Sequence, residues 1–563
     1  MISIKRVCYI IKNCFAASPA LFIVNACLLF WGSSFILLEA VVPNYVIDKF
    51  EKSYEGHSFL AIVCIFAIYI IFYGAVNGIT NCFSSMVCDS AYGHNNYKFL
   101  LKISKVKAYE FEDHRNLDSI ERLKDGADAC GFIATIYLSI LFFYFPAVVF
   151  LLFYYGKTSM LLMGLMCLLV IPRLIVTKYR EKLYSSYNSD VANAKRKAKI
   201  YKNCFCEKTS VKEKRQYAID LRLMELWEKS FRYVASKREE IQRRILVGEL
   251  VGVVIDNGIY VAIIIMLIIM AKQGAIGIGR LTGVVASSTT LSFLIDEIIN
   301  NNMAVIAENI GNVDYYIEYM SKDYSEYNPQ SGSCVALKNV SYRYPESEKL
   351  ALENITLTIP ENSIVAIVGE NGSGKTTLSK IIAGLYKPIA GEVYWNNDTV
   401  CSVVLQDFVR YFFTIYENIK LGEWNKDNKE EAIEYLNELS FESDVDMERR
   451  LGKEYGGTDI SGGQWQKLSL VRGVYKTCKL MILDEPTASI DPIMEYDIFA
   501  FVKKHSKGKS TIIVTHRLGA VSFADYIIVM RSGRIMMTGT HKELIENCGY
   551  YRELYNSQKT RYK

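Results

Sequence analysis

Gly369-Glu370-Asn371-Gly372-Ser373-Gly374-Lys375-Thr376 fits the spacing G-x-x-x-x-G-K-[ST]. It follows the apolar run Ile364–Val368 and opens a helical stretch, the context in which such a loop holds phosphate. Its glycines let backbone N–H groups curl around an anion, and the helix N-terminus favours negative charge. Lys375 is placed to reach the β- and γ-phosphates of a nucleotide. The Thr376 hydroxyl is placed to hold Mg²⁺, and Thr377 next to it belongs to the nucleotide-binding run. About 110 residues later, Leu480-Met481-Ile482-Leu483-Asp484-Glu485 reads as a buried strand that delivers its acids to the sheet edge beside the phosphate loop. Asp484 suits Mg²⁺ held through its water shell, and Glu485 suits polarisation of an attacking water. The chemistry implied is Mg²⁺-assisted hydrolysis of a nucleoside triphosphate.

A third motif, Ile460-Ser461-Gly462-Gly463-Gln464, lies about 20 residues before Asp484 and opens a helix. A Ser and two glycines at a helix N-terminus make a second phosphate site. Here the sequence resembles the ATP-binding cassette (ABC) family, whose signature usually reads Leu-Ser-Gly-Gly-Gln; Ile460 stands for the Leu. The resemblance implies that this motif grips the γ-phosphate bound to the opposite subunit, in a head-to-tail dimer. It further implies that Tyr344 stacks on adenine and that Gln406 contacts Mg²⁺ and senses the membrane domain. Ser489-Ile490-Asp491 matches a loop that crosses the dimer interface, and His516 a γ-phosphate contact that supports the attacking water. Because Glu485 and His516 are both present, the resemblance implies hydrolysis of ATP rather than binding alone. A homodimer is expected, with a heterodimer of two half-transporters as the alternative.

The elements that position these residues follow from patterning. The β-branched runs Ser363–Val368, Leu480–Leu483 and Thr511–Val514 alternate with helical stretches, which predicts an α/β domain with a parallel sheet over 334–563. A polar linker is expected at 322–333, and residues 1–321 carry the long apolar runs. Six spans can be drawn there, at about 20–44, 58–80, 131–155, 158–178, 245–270 and 281–305. Charged stretches of about 50 and 65 residues separate spans two from three and four from five, whereas the other links are short. The Lys- and Arg-rich stretches are therefore expected inside the cell with both termini, and Lys5, Arg6 and Lys12 fit an interfacial first helix. The fold class expected is an α-helical six-span transmembrane domain with long cytoplasmic helices, fused to an α/β P-loop ABC ATPase domain. It resembles half-size ABC exporters. By that analogy, coupling helices are expected around 109–118 and 201–209, docking beside Gln406.

Composition sets the outer limits. Of 563 residues, 51% are hydrophobic and 22% charged, and Lys+Arg 65 against Asp+Glu 60 is too even for a nucleic-acid partner. The 14 Cys include no C-x-x-C pair, which argues against a zinc site or a disulfide framework. The partners expected are a second copy of the chain, or alternatively a different half-transporter, the lipid bilayer and an exported peptide or amphipathic substrate, in a cell membrane expected to be a bacterial inner membrane.

For cargo, Gln464-Trp465-Gln466-Lys467, Tyr455-Gly456-Gly457 and Gln406-Asp407-Phe408-Val409-Arg410-Tyr411 look similar to bacterial peptide, bacteriocin and lanthipeptide exporters. Lipid flippases and multidrug exporters share the scaffold and are the alternatives, as is a membrane ATPase that gates or senses without pumping. The first span opens near residue 20, so a fused leader peptidase is not expected. Asp256, Asp296 and Glu297 interrupt spans five and six, and Glu39 lies near the end of span one. Ionisable groups at mid-span cost at least about 2.5–3.5 kcal/mol, so the expected setting is a wet interior. An acidic path of this kind favours a cationic cargo; pairing with neighbouring helices is the alternative.

Overall fold

The computed structural model describes residues 4–52, 56–106, 108–112, 114–322, 330–332, 335–345, 347–396, 400–442, 444–487 and 492–559. The expected interface loop Ser489-Ile490-Asp491 and most of the expected linker lie outside them, as does the side chain of Glu39. The chain divides into two units, Met1–Ser104 with Ser119–Asp323, and Lys105–Asp118 with Tyr324–Lys563.

The first unit is helical. Its elements are α1 (Ile4–Ala17), α2 (Pro19–Lys52), α3 (Gly56–Ile103), α4 (His114–Ser139), α5 (Phe145–Thr158), α6 (Met160–Leu168), α7 (Val170–Cys206), α8 (Lys208–Gln216), α9 (Asp220–Lys272), α10 (Ile278–Asp296) and α11 (Met303–Ser321). Among the described residues, six segments are long and apolar enough to cross a membrane, as the hydropathy pattern predicts. The helices outrun the apolar stretches. At 1.5 Å per residue the 53 residues of α9 extend about 80 Å, against a hydrocarbon core of about 30 Å. Its polar half stays helical with the help of i,i+4 pairs, among them Arg232–Glu228 at 2.6 Å, Arg243–Glu239 at 2.6 Å and Arg244–Glu240 at 2.9 Å.

Among the described residues, two π-helical turns interrupt this α-helical unit. One, Ile140–Tyr144, joins α4 to α5; the other, Glu297–Asn302, joins α10 to α11. The amphipathic α1 buries Ile10 and Cys14, one turn apart. It is tied to α11 by the Arg6–Asp314 ion pair, and to α3 by Lys98 Nζ donating to Asn13 Oδ1 at 3.0 Å.

Among its described residues, the second unit holds two sheets. A four-stranded one, in the order β1 (Gln330–Gly332), β5 (Ala390–Asn396), β2 (Ala336–Tyr342), β3 (Leu352–Thr358), lies beside a six-stranded one. The latter runs β10 (Arg534–Gly539), β9 (Tyr526–Arg531), β4 (Ile364–Val368), β8 (Ser510–Val514), β7 (Leu480–Asp484), β6 (Cys401–Val404). All its pairings are parallel except β10 on β9. The central strands β4 and β7 are buried along their whole length, which explains why they read as continuous apolar runs rather than alternating ones. The short helix α12 (Lys375–Ile382) follows β4 directly.

Candidate functional site

Four neighbouring strands of the parallel sheet end at one edge, and each hands a chemically competent residue to it. The phosphate loop leaves β4, Gln406 follows β6 by two residues, Asp484 ends β7, and His516 follows β8 by two. A cavity of about 850 Å³ at this edge is lined by Tyr344, Asn371, Gly372, Gly374, Lys375, Thr376, Thr377, Gln406, Glu485 and His516, all foreseen from the sequence.

The loop's glycines are required by its geometry. A Cβ on Gly369 would stand 2.3 Å from the Met530 carbonyl oxygen, and Gly374 caps α12 at φ 99°. Lys375 is 6% exposed and donates from Nζ to the carbonyls of Gly369 and Glu370, at 2.9 Å each. Burial pulls its ammonium below the usual lysine range, against the carboxylates of Glu485 and Asp484, which favour the charge.

Thr376 Oγ1 donates to Asp484 Oδ1 at 3.3 Å. Asp484 is 1% exposed, and burial pushes its carboxyl up to about 6, opposed by the Thr376 hydrogen bond. Asp484 Oδ2 and Ser373 Oγ are buried without a hydrogen-bond partner among the described residues. Orphaned oxygens of this kind, one of them a carboxylate beside a Thr hydroxyl, fit a Mg²⁺–phosphate group.

Glu485 has φ 52°, outside the range most side chains adopt. Its N–H donates to Val514 O at 2.9 Å, and Gln466 Nε2 donates to its carbonyl at 3.2 Å, so both sides of the peptide are held. This aims the carboxylate at His516, whose Nδ1 lies 2.8 Å from Glu485 Oε1.

Tyr344 is fixed edge-on to Tyr342, ring centroids 5.2 Å apart, and shares a hydroxyl hydrogen bond of 3.0 Å with Thr377. Lys349, Arg517, Ser532 and Gly533 also line the cavity and were not foreseen. The last two form the β9–β10 turn, which the dipeptide Ser-Gly between apolar runs could have signalled. Arg517 is held by Glu495 at 2.9 Å.

The Ser461-Gly462-Gly463-Gln464 motif is not part of this cavity. Ser461 caps α15 (Gly462–Tyr475; α13 is Ile415–Lys420 and α14 Lys429–Glu438). It does so through a reciprocal pair with Gln464, at 3.2 and 2.8 Å. Ser461 and Gly462 are exposed. One chain therefore presents two separate groups of phosphate-competent residues.

The expected coupling segment 109–118 is described in part. Residues 105–118 pack as part of the second unit, where Ala108–Glu112 forms a 3₁₀ turn. Tyr109 packs against the core that holds Tyr342 and Tyr386, while Glu112 accepts from the Tyr386 hydroxyl and lies 3.8 Å from Lys380 Nζ. At the tip of the second extension the separate helix is α8, centred C-terminal to the expected 201–209.

In the helical unit, the acids Asp256 and Asp296 converge on Arg173, a residue the hydropathy reading passed over. Arg173 Nε lies 2.9 Å from Asp256 Oδ2, and Nη1 lies 3.3 Å from Asp296 Oδ1. Arg173 also donates to Ser292 Oγ at 2.6 Å. Glu297 accepts from Asn301 Nδ2 at 2.6 Å.

Residues 352–488 match the ABC transporter family. The chain is 33% identical over 331 residues to the nisin transport ATP-binding protein NisT of Lactococcus lactis, covering 54% of each. It is 27% identical over 500 residues to the subtilin transport ATP-binding protein SpaT of Bacillus subtilis, covering 82% of this chain and 79% of the relative. The chain thus spans about half the length of NisT and most of SpaT. Its fold matches that of a bacterial Atm1-family ABC exporter solved with ATP bound, with a TM-score of 0.81 at 17% identity, over 95% of this chain and 99% of the other.

Proposed function

We propose that the chain is a half-size ABC exporter, an ABC transporter domain fused to six membrane-length helices, and that it hydrolyses ATP to drive export by alternating access. The observation that carries this reading is the division of the phosphate-competent residues. Lys375, Thr376, Gln406, Glu485 and His516 share one cavity, while Ser461 and Gly463 stand outside it. A complete site then needs two chains, each cavity closed by the other's Ser461–Gln464 cap, and a homodimer carries two such sites.

In this reading Lys375 moves from the loop carbonyls to the phosphates, and the loop N–H groups and Ser373 surround them. Tyr344 packs on the adenine. Thr376, Asp484 and Gln406 would hold Mg²⁺, which supplies positive charge to the phosphate oxygens when bound. Glu485 orients and polarises the attacking water, and His516 fixes the Glu485 carboxylate. Closure of the two cassettes turns the helical unit outward, and hydrolysis resets it.

The cargo proposed is a peptide or amphipathic molecule, supported by the transport functions in the names of NisT and SpaT. Asp296, whose side chain remains 49% exposed beside Arg173, and Glu297 are proposed to favour cationic groups on it, with Asp256 anchoring Arg173 behind them. The cassette is proposed to be cytoplasmic, because the Lys- and Arg-rich stretches mark the inner face and an even number of spans returns the chain to it.

The test is ATP hydrolysis by the full chain in lipid nanodiscs, with and without cationic peptides, beside Glu485→Gln. Peptide-stimulated hydrolysis that the variant lacks supports the reading. No hydrolysis in well-folded protein overturns the homodimer and directs the search to a second half-transporter.

A further inference from the structure

Within the helical unit, α3 carries a polar stripe that the nucleotide chemistry does not use. Asn77, Thr80, Asn81 and Ser84 recur at i, i+3, i+4 and i+7, one face of a helix. That face lines a cavity of about 230 Å³, walled also by α2, α4 and both π-helical turns. One turn supplies Tyr144 and the other Asn302, so the irregularities in the two helices meet at the same space. π-Helical turns are frequent at functional sites. Among the described residues, no Asp, Glu, Lys, Arg or His lines the cavity.

Two amide nitrogens, one on the lining and one behind it, lack hydrogen-bond partners among the described residues. Asn302 Nδ2 is buried and makes no hydrogen bond of ordinary geometry among the described residues, its polar neighbour being the Tyr144 hydroxyl on the same lining. Ser84 Oγ donates to Asn25 Oδ1 at 3.0 Å, leaving Nδ2 of the fully buried Asn25 equally unmatched. Such groups are costly in a membrane-length bundle unless something satisfies them.

We infer that this cavity is a cargo subsite for uncharged peptide amides, an inference that rests on the exporter reading above. Asparagine side chains offer a donor and an acceptor, the complement of a secondary amide, while hydroxyls take either role. A charged group would enter without a counter-charge and lose its hydration. The volume is below the roughly 300–1,000 Å³ of a drug-sized pocket, so the site grips a short stretch of extended chain. The π turn Glu297–Asn302 begins at the acids and ends at this cavity, so cationic and amide groups of one peptide are read at its two ends.

The test is equilibrium binding of radiolabelled acetyl-(Gly-Ser)₃-amide to the full chain in nanodiscs, without nucleotide. Its backbone N-methylated analogue is run beside it. Saturable binding of the first, at least tenfold weaker for the second and for Asn302→Leu or Asn81→Leu, is the expected result. Equal binding of the two probes to the unvaried chain overturns the site without relying on any variant. So does absence of binding, which would leave the cavity to water. A chain that binds the probe but hydrolyses no ATP sustains the site and sinks the homodimeric exporter reading; a chain that hydrolyses ATP but binds no probe sinks the site alone.

Discussion

His516 Nδ1 lies between the two carboxylate oxygens of Glu485, 2.8 Å from Oε1 and 2.6 Å from Oε2. The pair is assembled by two parallel strands: Glu485 follows β7, His516 follows β8, and the Glu485 N–H is itself bonded to Val514 at the end of β8. A left-handed non-glycine residue costs on the order of 1–3 kcal/mol, so the surrounding hydrogen bonds must over-determine it. The carboxylate is thereby aimed before any nucleotide arrives.

The pair should behave as a unit in hydrolysis. Glu485→Gln and His516→Ala are each expected to lower kcat by roughly 10²–10⁴-fold, the range of positioned acid–base groups. The double variant should lose little more than the worse single one. Phosphate release by the four proteins measures this, and effects that multiply would show two independent contributions.

Asp484 has a carboxyl pushed up to about 6, above its ordinary 3.8, chiefly by burial. The folded chain therefore holds this proton more tightly than the unfolded chain. Its contribution to stability is greatest below pH 3.8 and is lost as pH rises through about 6. At pH 7.5 the buried charge then costs about 2–3 kcal/mol in the nucleotide-free protein. Asp484→Asn should raise the thermal midpoint at pH 7.5 and gain much less near pH 4, while hydrolysis is lost. An equal gain at both pH values would refute the electrostatic cause.

Tyr386 connects the segment that follows α3 to the helix that opens at Lys375. Its hydroxyl accepts from Lys380 Nζ at 3.0 Å and donates to Glu112. Tyr386→Phe removes both bonds and keeps the ring, which stacks on Tyr342. With Glu112 42% exposed, the loss is scaled to about 1 kcal/mol, or roughly fivefold. Cargo-stimulated hydrolysis is expected to fall by about that factor with unstimulated hydrolysis retained; a parallel fall in both would place Tyr386 in folding instead.

How far the sequence could be read depends on the distance between interacting residues. Gly369–Thr376 was legible because loop, lysine and hydroxyl are contiguous and their chemistry demands that order. The Asp484–Glu485 pair was legible because a fully buried strand leaves an uninterrupted apolar run. Hydropathy likewise located six spans. It could not show that α9 runs unbroken from charged to apolar residues, because helical continuity there rests on ion pairs such as Arg244–Glu240 as well as on apolarity. Nor could it find the π turns at Ile140–Tyr144 and Glu297–Asn302, which no residue type marks. Tyr386 and Glu112 are 274 residues apart, and nothing local in either announces the other.

Arg173 is the same lesson at the centre of the helical unit, because Asp256 and Asp296 attract notice as unpaired acids until the third helix is seen. Its side chain is 8% exposed, and Asp256 Oδ1 has no partner of its own among the described residues. Removing the guanidinium leaves two acids facing one another with no cation, whereas removing one acid leaves a matched pair. Arg173→Met is therefore expected to destabilise the protein by about 3–5 kcal/mol, the usual cost of breaking a buried ion pair from one side. Asp296→Asn should be nearly neutral, and Asp256→Asn combined with Arg173→Met should recover most of the loss. Thermal midpoints in nanodiscs decide between this and an open acidic path: if Arg173→Met is as stable as the parent, the acids are solvated from the translocation side and the arginine is not what holds them.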